Sequence, residues 1–271
     1  MKKFMLARKG NLNFIIGCTI TTVMLLFILV GFVYTPYDPN KMSAADKLSG
    51  LSLKHPFGCD QFGRDILSRV MEGAGTTFLI ALGTVVIGAV VGMIIGALTG
   101  YFGGIFDEIL MRINDAIFAF PSILLALLFI SLFGSGKYNV MISLGIAFFP
   151  SFARVVRGEF LRQKNLDYVK SAKMAGAGNF RIIFVHILPN IFPVLLSSFM
   201  IGFNNAVLAE ASLSYLSIGV QPPDPSLGRM LSESQSYLFS APWYAIAPGV
   251  TIVLLILGFA LMAEGLKPGK K

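Results

Sequence analysis

The sequence predicts an all-α, polytopic membrane protein with about six transmembrane helices. Of its 271 residues, 55% are hydrophobic and only 13% are charged, whereas a soluble domain carries roughly 25% charged residues. A bilayer core of about 30 Å requires roughly 20 apolar residues in helical form, because every backbone polar group must be bonded within its own segment. Six stretches meet this requirement, at approximately 13–34, 76–101, 114–133, 138–156, 190–209 and 244–263.

The first stretch predicts an uncleaved anchor helix. Its apolar run is too long for a secretory signal, and Thr35-Pro36-Tyr37 is not a small-residue cleavage site. The predicted organisation is therefore an N-terminus and first span over 1–34, an external loop over 35–75, a core of about five spans over 76–265 that contains a basic loop at 157–189, and a tail over 266–271.

The distribution of charge predicts the orientation in the membrane. Most of the 22 lysines and arginines lie in the N-terminal segment, in the loop from Arg154 to Pro189 and in the tail. The positive-inside rule places these three segments in the cytoplasm and both termini with them. The opposite orientation would expose the most basic loop to the exterior. Orientation explains the net charge of +8 better than nucleic-acid binding does.

Four glycines in the second span predict close helix packing. Gly88, Gly92, Gly96 and Gly100 recur every four residues and therefore share one helix face. Small residues at this spacing let the backbones of two membrane helices approach each other. A phosphate-binding loop would need a preceding strand and a lysine at fixed spacing, which this pattern lacks.

Polar residues in the third and fifth spans are candidate functional groups. Glu108, Arg112 and Asp115 recur at helical spacing and are predicted to pair along one face, and Pro121 predicts a kink. Asn204, Asn205 and Glu210 lie late in the fifth span. Two interpretations of these three residues remain open: they line a pathway or gate, or they form hydrogen bonds between helices with an interfacial glutamate.

The external loop contains a second charged group. His55, Asp60, Arg64 and Asp65 are placed for local ion pairs that fold the loop, or for docking a partner protein. Cys18 and Cys59 have no ligand-like spacing to each other or to the histidines. We therefore expect no disulfide framework, no metal site and no cofactor.

The basic loop predicts two short helices. Asp167 is the expected N-cap of the first and Gly176 its stop, whereas Asn179 is expected to cap the second and Pro189 to end it. One side of the first helix is narrow and flanked by Lys170 and Lys173, a shape suited to insertion into a partner's groove. That side consists of Tyr168, Val169, Ala172, Ala175 and Gly176. The alternative is a solvated connector.

At these residues the chain resembles the permeases of bacterial ATP-binding-cassette importers, in their dipeptide, oligopeptide and nickel branch. The loop motif appears as Asp167-Tyr168-Val169-Lys170-Ser171-Ala172, then Gly176, then His186-Ile187-Leu188-Pro189-Asn190. Further similar segments run from His55 to Asp65, from Gly100 to Gly104, from Glu210 to Leu216 and from Gly219 to Pro223. Lys170 stands where the motif usually has glutamate.

The resemblance implies a type I importer permease fold, as the C-type member of the pair. The chain would form half of a pathway with a second homologous permease, bind two cytoplasmic ATPase subunits and receive substrate from an extracytoplasmic solute-binding protein. The implied coupling residues are Asp167, Tyr168, Val169, Lys170, Ser171, Ala172, Ala175, Gly176, Leu188 and Pro189. Di- or oligopeptides are the expected substrates, with nickel or a metal chelate as the alternative.

Two other classes of protein fit the sequence less well. A membrane-embedded hydrolase would need a nucleophile, a base and an orienting group that converge in one pocket. His55 and His186 are predicted on opposite sides of the membrane, so we expect no catalytic residue and no enzyme activity in this chain. An ion-coupled secondary transporter would be built from internal repeats, and no convincing repeat relates the two halves.

Overall fold

The computed structural model describes residues 12–266 as an all-helical bundle. The helices are α1 Leu12–Val33, α2 Ile66–Phe102, α3 Gly104–Phe118, α4 Ser122–Phe133, α5 Lys137–Gln163, α6 Asp167–Met174, α7 Asn179–Tyr215, α8 Leu227–Ser234 and α9 Pro242–Leu266. Five of them, namely α1, α2, α5, α7 and α9, are long and apolar enough to cross a membrane, and α3 with α4 forms a sixth span if the bent pair is counted as one. The predicted fold class is confirmed. The basic N-terminal residues and the predicted tail from 267 onward lie outside the described residues.

The bundle has two ends, which we name by what lies there. The long-loop side contains residues 34–65 and α8, and the α6 side contains the short helix α6. Helix α2 starts on the long-loop side, where the Asp65 carboxylate accepts a hydrogen bond from the Ser68 amide at 2.8 Å and caps the helix. It ends at Gly103 on the α6 side.

The glycine face of α2 packs against α5. A Cβ built on Gly92 would lie 2.5 Å from the Phe152 Cβ and 2.8 Å from the Phe149 carbonyl oxygen. Gly96 and Gly100 meet the α5 backbone in the same way, and Gly88 faces Gly145. This contact is the most extensive between any two of the described helices. The two backbones meet where no side chain separates them.

The third span differs from the kinked single helix that the sequence predicts. It consists of two helices, α3 and α4, that are bent by 88° relative to each other. Pro121 lacks an amide hydrogen and restricts Phe120 to extended conformations, so the backbone leaves the helical path between Phe118 and Ser122. A proline inside an otherwise regular span would give a smaller bend; here the break extends over three residues.

The second helix of the basic loop does not end at Pro189, contrary to the prediction. The chain stays helical from Asn179 to Tyr215. Residues Ile182–Ile187 form a π-helical turn, and the Leu188 amide donates to the Ile183 carbonyl, five residues earlier. The wider turn carries the backbone past Pro189, which has no amide of its own to donate. The second helix of the basic loop and the fifth span are therefore one continuous helix.

Helix α1 changes neighbours along its length. On the α6 side it packs on α9, where Gly17 lies against Met262 and Gly265 against Phe14. On the long-loop side it packs on α2, where Gly31 lies against Met71. The helix thus crosses from α9 to α2 as it traverses the bundle.

Candidate functional site

A cleft of about 360 Å³ opens between the α3–α4 break, α5 and α7. Its wall combines the aromatic rings of Phe118, Phe148 and Phe152 with polar groups from four places in the sequence. These groups are Ser122, Ser151, Ser198 and Asn205. Of the described residues that line the cleft, none is charged. Irregular backbone at membrane depth is tolerated where it lines a cavity, and the break at Pro121 does so.

The structure separates the three polar residues that the sequence groups in the fifth span. Asn205 is exposed to the cleft, whereas Asn204 is only partly exposed and Glu210 is fully buried. The Ser214 hydroxyl donates to Glu210 at 2.7 Å, and the Val220 amide donates to the same hydroxyl at 3.1 Å. Glu210 therefore fastens the end of α7 to the turn that follows it. Only Asn205 of the three lies in the cleft.

The serines of the cleft were missed from the sequence. Ser198 and Asn205 are seven residues apart on α7 and therefore share a helix face, and Ser151 is the corresponding polar interruption in α5. That spacing was available as a signal. The position of Ser122 could not be predicted in this way, because Ser122 reaches the cleft only through the break after Phe118.

Next to the cleft, a charged cavity of about 590 Å³ lies between α3 and α5. Arg157 donates two hydrogen bonds to Asp107, at 2.6 and 2.8 Å, and Arg154 donates one to Asp115 at 2.8 Å. The Arg154 guanidinium also lies 4.0 Å from the centre of the Phe118 ring, which belongs to the cleft. These contacts fix α3 on α5.

The predicted pairing of Glu108, Arg112 and Asp115 along one face is wrong. Asp115 pairs with Arg154 of α5 instead, and within the described part of the chain neither Glu108 nor Arg112 forms an ion pair. Asp115 and Arg154 are held in place because the two helices that carry them pack against each other. An ion pair along one exposed helix stabilises that helix by only about 0.2–0.5 kcal/mol.

Helix α6 ends in a defined turn at Gly176. The Ala177 amide donates to the Ala172 carbonyl and the Gly176 amide to that of Lys173, each at 3.0 Å. This pair of bonds is a Schellman motif, which places its glycine in the left-handed region, here at φ +80°. Leu166 and not Asp167 occupies the N-cap, because Asp167 is already helical; its carboxylate instead accepts a bond from Lys170 at 3.2 Å.

The side of α6 that the sequence assigns to a partner is partly used by the chain itself. Val169 is fully buried against Phe160, Ile182 and Ile187, and Tyr168 and Ala172 are half-buried. The opposite side is exposed in the part of the chain that the structure describes. Its largest apolar side chains are Met174, which is 82% exposed, and Phe180 of α7, which is 80% exposed. The face available to a partner is therefore the one that carries Lys170 and Met174.

On the long-loop side, charged side chains form a buried network. Arg64 donates to Asp60 at 2.6 Å and to Glu233 at 3.1 Å, and Arg69 lies 3.5 Å from the same Glu233 carboxylate. Arg229 and the Tyr244 hydroxyl donate to Glu233 as well. Asp65, which the sequence places in local ion pairs, accepts hydrogen bonds from Ser68, and its carboxylate lies 2.8 Å from the His55 Nδ1.

The network joins the long loop to α2, α8 and α9. Burial alone would raise the pKa of Glu233, but the charges of Arg69 and Arg64 and the hydrogen bond from Tyr244 outweigh it and lower that pKa below its usual value of 4.5. Arg69 and Glu233 were not among the residues that the sequence singled out.

Replacing Glu233 with glutamine is expected to lower the thermal stability of the protein. Breaking a buried ion pair costs about 3–5 kcal/mol because the partner charges stay buried. Because the pKa of Glu233 is lowered on folding, its contribution is present above pH 4.5 and is lost as the pH falls through the lowered pKa. The melting temperatures of wild type and Glu233→Gln should therefore converge below pH 4.5. Asp46→Asn is the control, since its partner Lys54 is 63% exposed and such pairs contribute little.

This architecture, with its bent third span, polar membrane cleft and exposed helix on a basic loop, defines a membrane permease. The chain belongs to the family of binding-protein-dependent transport system inner membrane components, whose model matches residues 88–271. It is a permease subunit of an ATP-binding-cassette importer.

Individual relatives support this assignment. The chain is 41% identical over 261 residues to the glutathione transport system permease protein GsiD of Salmonella typhimurium. The aligned region covers 96% of this chain and 86% of the relative. It is 36% identical over 259 residues to the dipeptide transport system permease protein DppC of Alkalihalophilus pseudofirmus, covering 96% and 85%. An inward-facing structure of the MetNI methionine ABC transporter matches with a TM-score of 0.60 at 18% identity, covering 74% of this chain and 97% of that chain. The structural match supports the fold.

Proposed function

We propose that this chain forms half of a membrane pathway for di- and oligopeptides. The observation that carries the proposal is the cleft at the α3–α4 break, which offers hydroxyl and amide groups without a fixed charge. Such groups exchange hydrogen bonds with the amide groups of any peptide, whatever its side chains carry. Phe118, Phe148 and Phe152 supply apolar surface beside them.

The relatives favour peptides over nickel. Their names describe permeases for glutathione, a tripeptide, and for dipeptides. Nickel as a free ion prefers imidazole and other nitrogen donors in a tetragonal arrangement, whereas this cleft presents serine hydroxyls and one asparagine. A metal chelate would behave more like a peptide and is retained as the second candidate.

The proposed assembly consists of this chain, a second homologous permease, two ATPase subunits and an external binding protein. The basic loop, the N-terminus and the tail would lie in the cytoplasm, in keeping with the positive-inside rule. ATP hydrolysis would reside in the ATPase subunits. They would push α6, and the continuous helix α7 would carry that movement to Asn205 as a rigid-body displacement.

Uptake by the reconstituted importer tests the proposed function. We expect ATP-dependent uptake of dipeptides or glutathione, and its loss in Asn205→Trp, because the indole fills the cleft. The control is Val253→Trp, a residue of α9 that is 60% exposed and does not line the cleft. Uptake that persists without ATP but requires an ion gradient would contradict the proposal, as would full uptake through Asn205→Trp.

A further inference from the structure

A groove opens between α1 and α9 on the long-loop side. It follows from the crossing of α1: the helix touches α9 through Gly17 but has moved to α2 by Gly31, so the space beside the first half of α9 is left unfilled. The groove has a volume of about 550 Å³. Val23 and Phe27 form one wall, and Ile246 and Val250 form the other.

The lining of this groove is almost entirely apolar, and of its side-chain polar atoms among the described residues only the Trp243 Nε1 lacks a hydrogen-bond partner. The hydroxyl that lies there, that of Thr251, donates to the Ala247 carbonyl at 2.8 Å. Leu51 of the long loop and Trp243 lie at its mouth. Tryptophan is enriched where a membrane meets water, so the mouth is at the level of the headgroups and the groove descends from there into the hydrocarbon.

The dimensions of the groove match one leaflet of the bilayer. It extends along α9 from Trp243 to Leu254, a rise of about 17 Å in a helix, and half of a hydrocarbon core measures about 15 Å. An acyl chain that spans one leaflet is therefore long enough to fill the groove from end to end.

We propose that one acyl chain of a phospholipid, from the leaflet on the long-loop side, occupies the groove between α1 and α9. The walls belong to membrane-spanning helices, so lipid tails are the medium that surrounds them, and an apolar cavity open to that medium takes up hydrocarbon. The acyl chain completes the packing between two helices whose close backbone approaches lie further from Trp243, at Gly17, Gly258 and Gly265. The proposal is independent of the transported substrate.

The test uses Trp243, the single tryptophan of the full chain, as a reporter. The purified chain is expected to retain one phospholipid through detergent exchange, as measured by native mass spectrometry. In vesicles of phosphatidylcholine brominated on its acyl chains, Trp243 fluorescence is expected to be quenched. Val250→Phe, which fills the groove, should lose the retained phospholipid and most of the quenching.

Val253→Phe is the matched control. Val253 lies on the same helix and is 60% exposed against 50% for Val250, but it does not line the groove, so its variant should retain the lipid. Val23→Phe fills the groove from the opposite wall and should also lose the retained phospholipid and most of the quenching. This second variant tests the proposal if Val250→Phe fails to fold. Equal retention in the groove and control variants would overturn the proposal. So would a folded wild-type chain without phospholipid, or an assembled importer in which a partner subunit covers Trp243.

Discussion

Replacing Gly92 with leucine is expected to lower the melting temperature of the protein and the amount of folded protein that accumulates. The first added carbon already lies 2.5 Å from the Phe152 Cβ and 2.8 Å from the Ala153 nitrogen and the Phe149 oxygen. Two of these three atoms are backbone, so no rotamer change relieves the contact and α5 must move as a whole. Overpacking lowers the stability of a folded protein by about 1–3 kcal/mol and occasionally more. Here it affects the most extensive contact between the described helices. Size-exclusion chromatography and thermal unfolding of the purified chain measure the effect.

Gly158→Leu is the matched control for Gly92→Leu. Gly158 lies in α5, and a Cβ built there meets no atom within 4 Å. Replacing glycine with leucine inside a helix stabilises the helix by up to about 1 kcal/mol. The two variants should therefore change the melting temperature in opposite directions. Equal loss from both would show that the α2 glycines are not required for packing.

Replacing Gly176 with valine is expected to reduce substrate-stimulated ATPase activity of the assembled importer while the chain still inserts in the membrane. A Cβ at this position meets no atom within 4 Å, so the penalty is one of backbone conformation alone. A left-handed residue with a side chain costs about 1–2 kcal/mol, which disfavours the native end of α6 by about tenfold. A distorted α6 would transmit the ATPase movement less well. The ratio of stimulated to basal hydrolysis is the measurement.

Gly178→Val separates conformation from bulk. Gly178 has φ −68° and ψ 160°, an extended geometry that valine adopts readily, and the space around it is also open. Its ratio of stimulated to basal hydrolysis should stay near that of the wild type. If Gly176→Val couples as well as Gly178→Val, α6 does not carry the coupling.

Local patterns were sufficient to predict the helices and their broad roles. Apolar length located the spans, and the four-residue repeat of glycines selected the face of α2 that meets α5. The stop of α6 at Gly176 followed from the residue that a left-handed turn requires. Each of these features depends on neighbours within a few turns of the same helix.

Features that depend on tertiary neighbours were not predictable. Asp115 was expected to pair within its own helix but pairs with Arg154, because α3 lies against α5 after the break. Val169 was assigned to a partner, yet it fills a space between α5 and α7 that exists only in the folded chain. Glu233 lies 169 residues from Arg64, and no spacing rule connects such distant positions.

The network on the long-loop side also sets an order of events during biosynthesis. Asp60, Arg64 and Arg69 are synthesised early, and Glu233 follows them by 169 residues after Arg64. At about 5–20 residues per second, the ribosome needs on the order of ten seconds or more to supply it. Throughout that interval the network contains two arginines, Arg64 and Arg69, and one carboxylate, that of Asp60. The long loop therefore reaches its native electrostatic balance only when synthesis has passed Glu233 in α8, and a protein released before that point leaves uncompensated positive charge at the membrane surface.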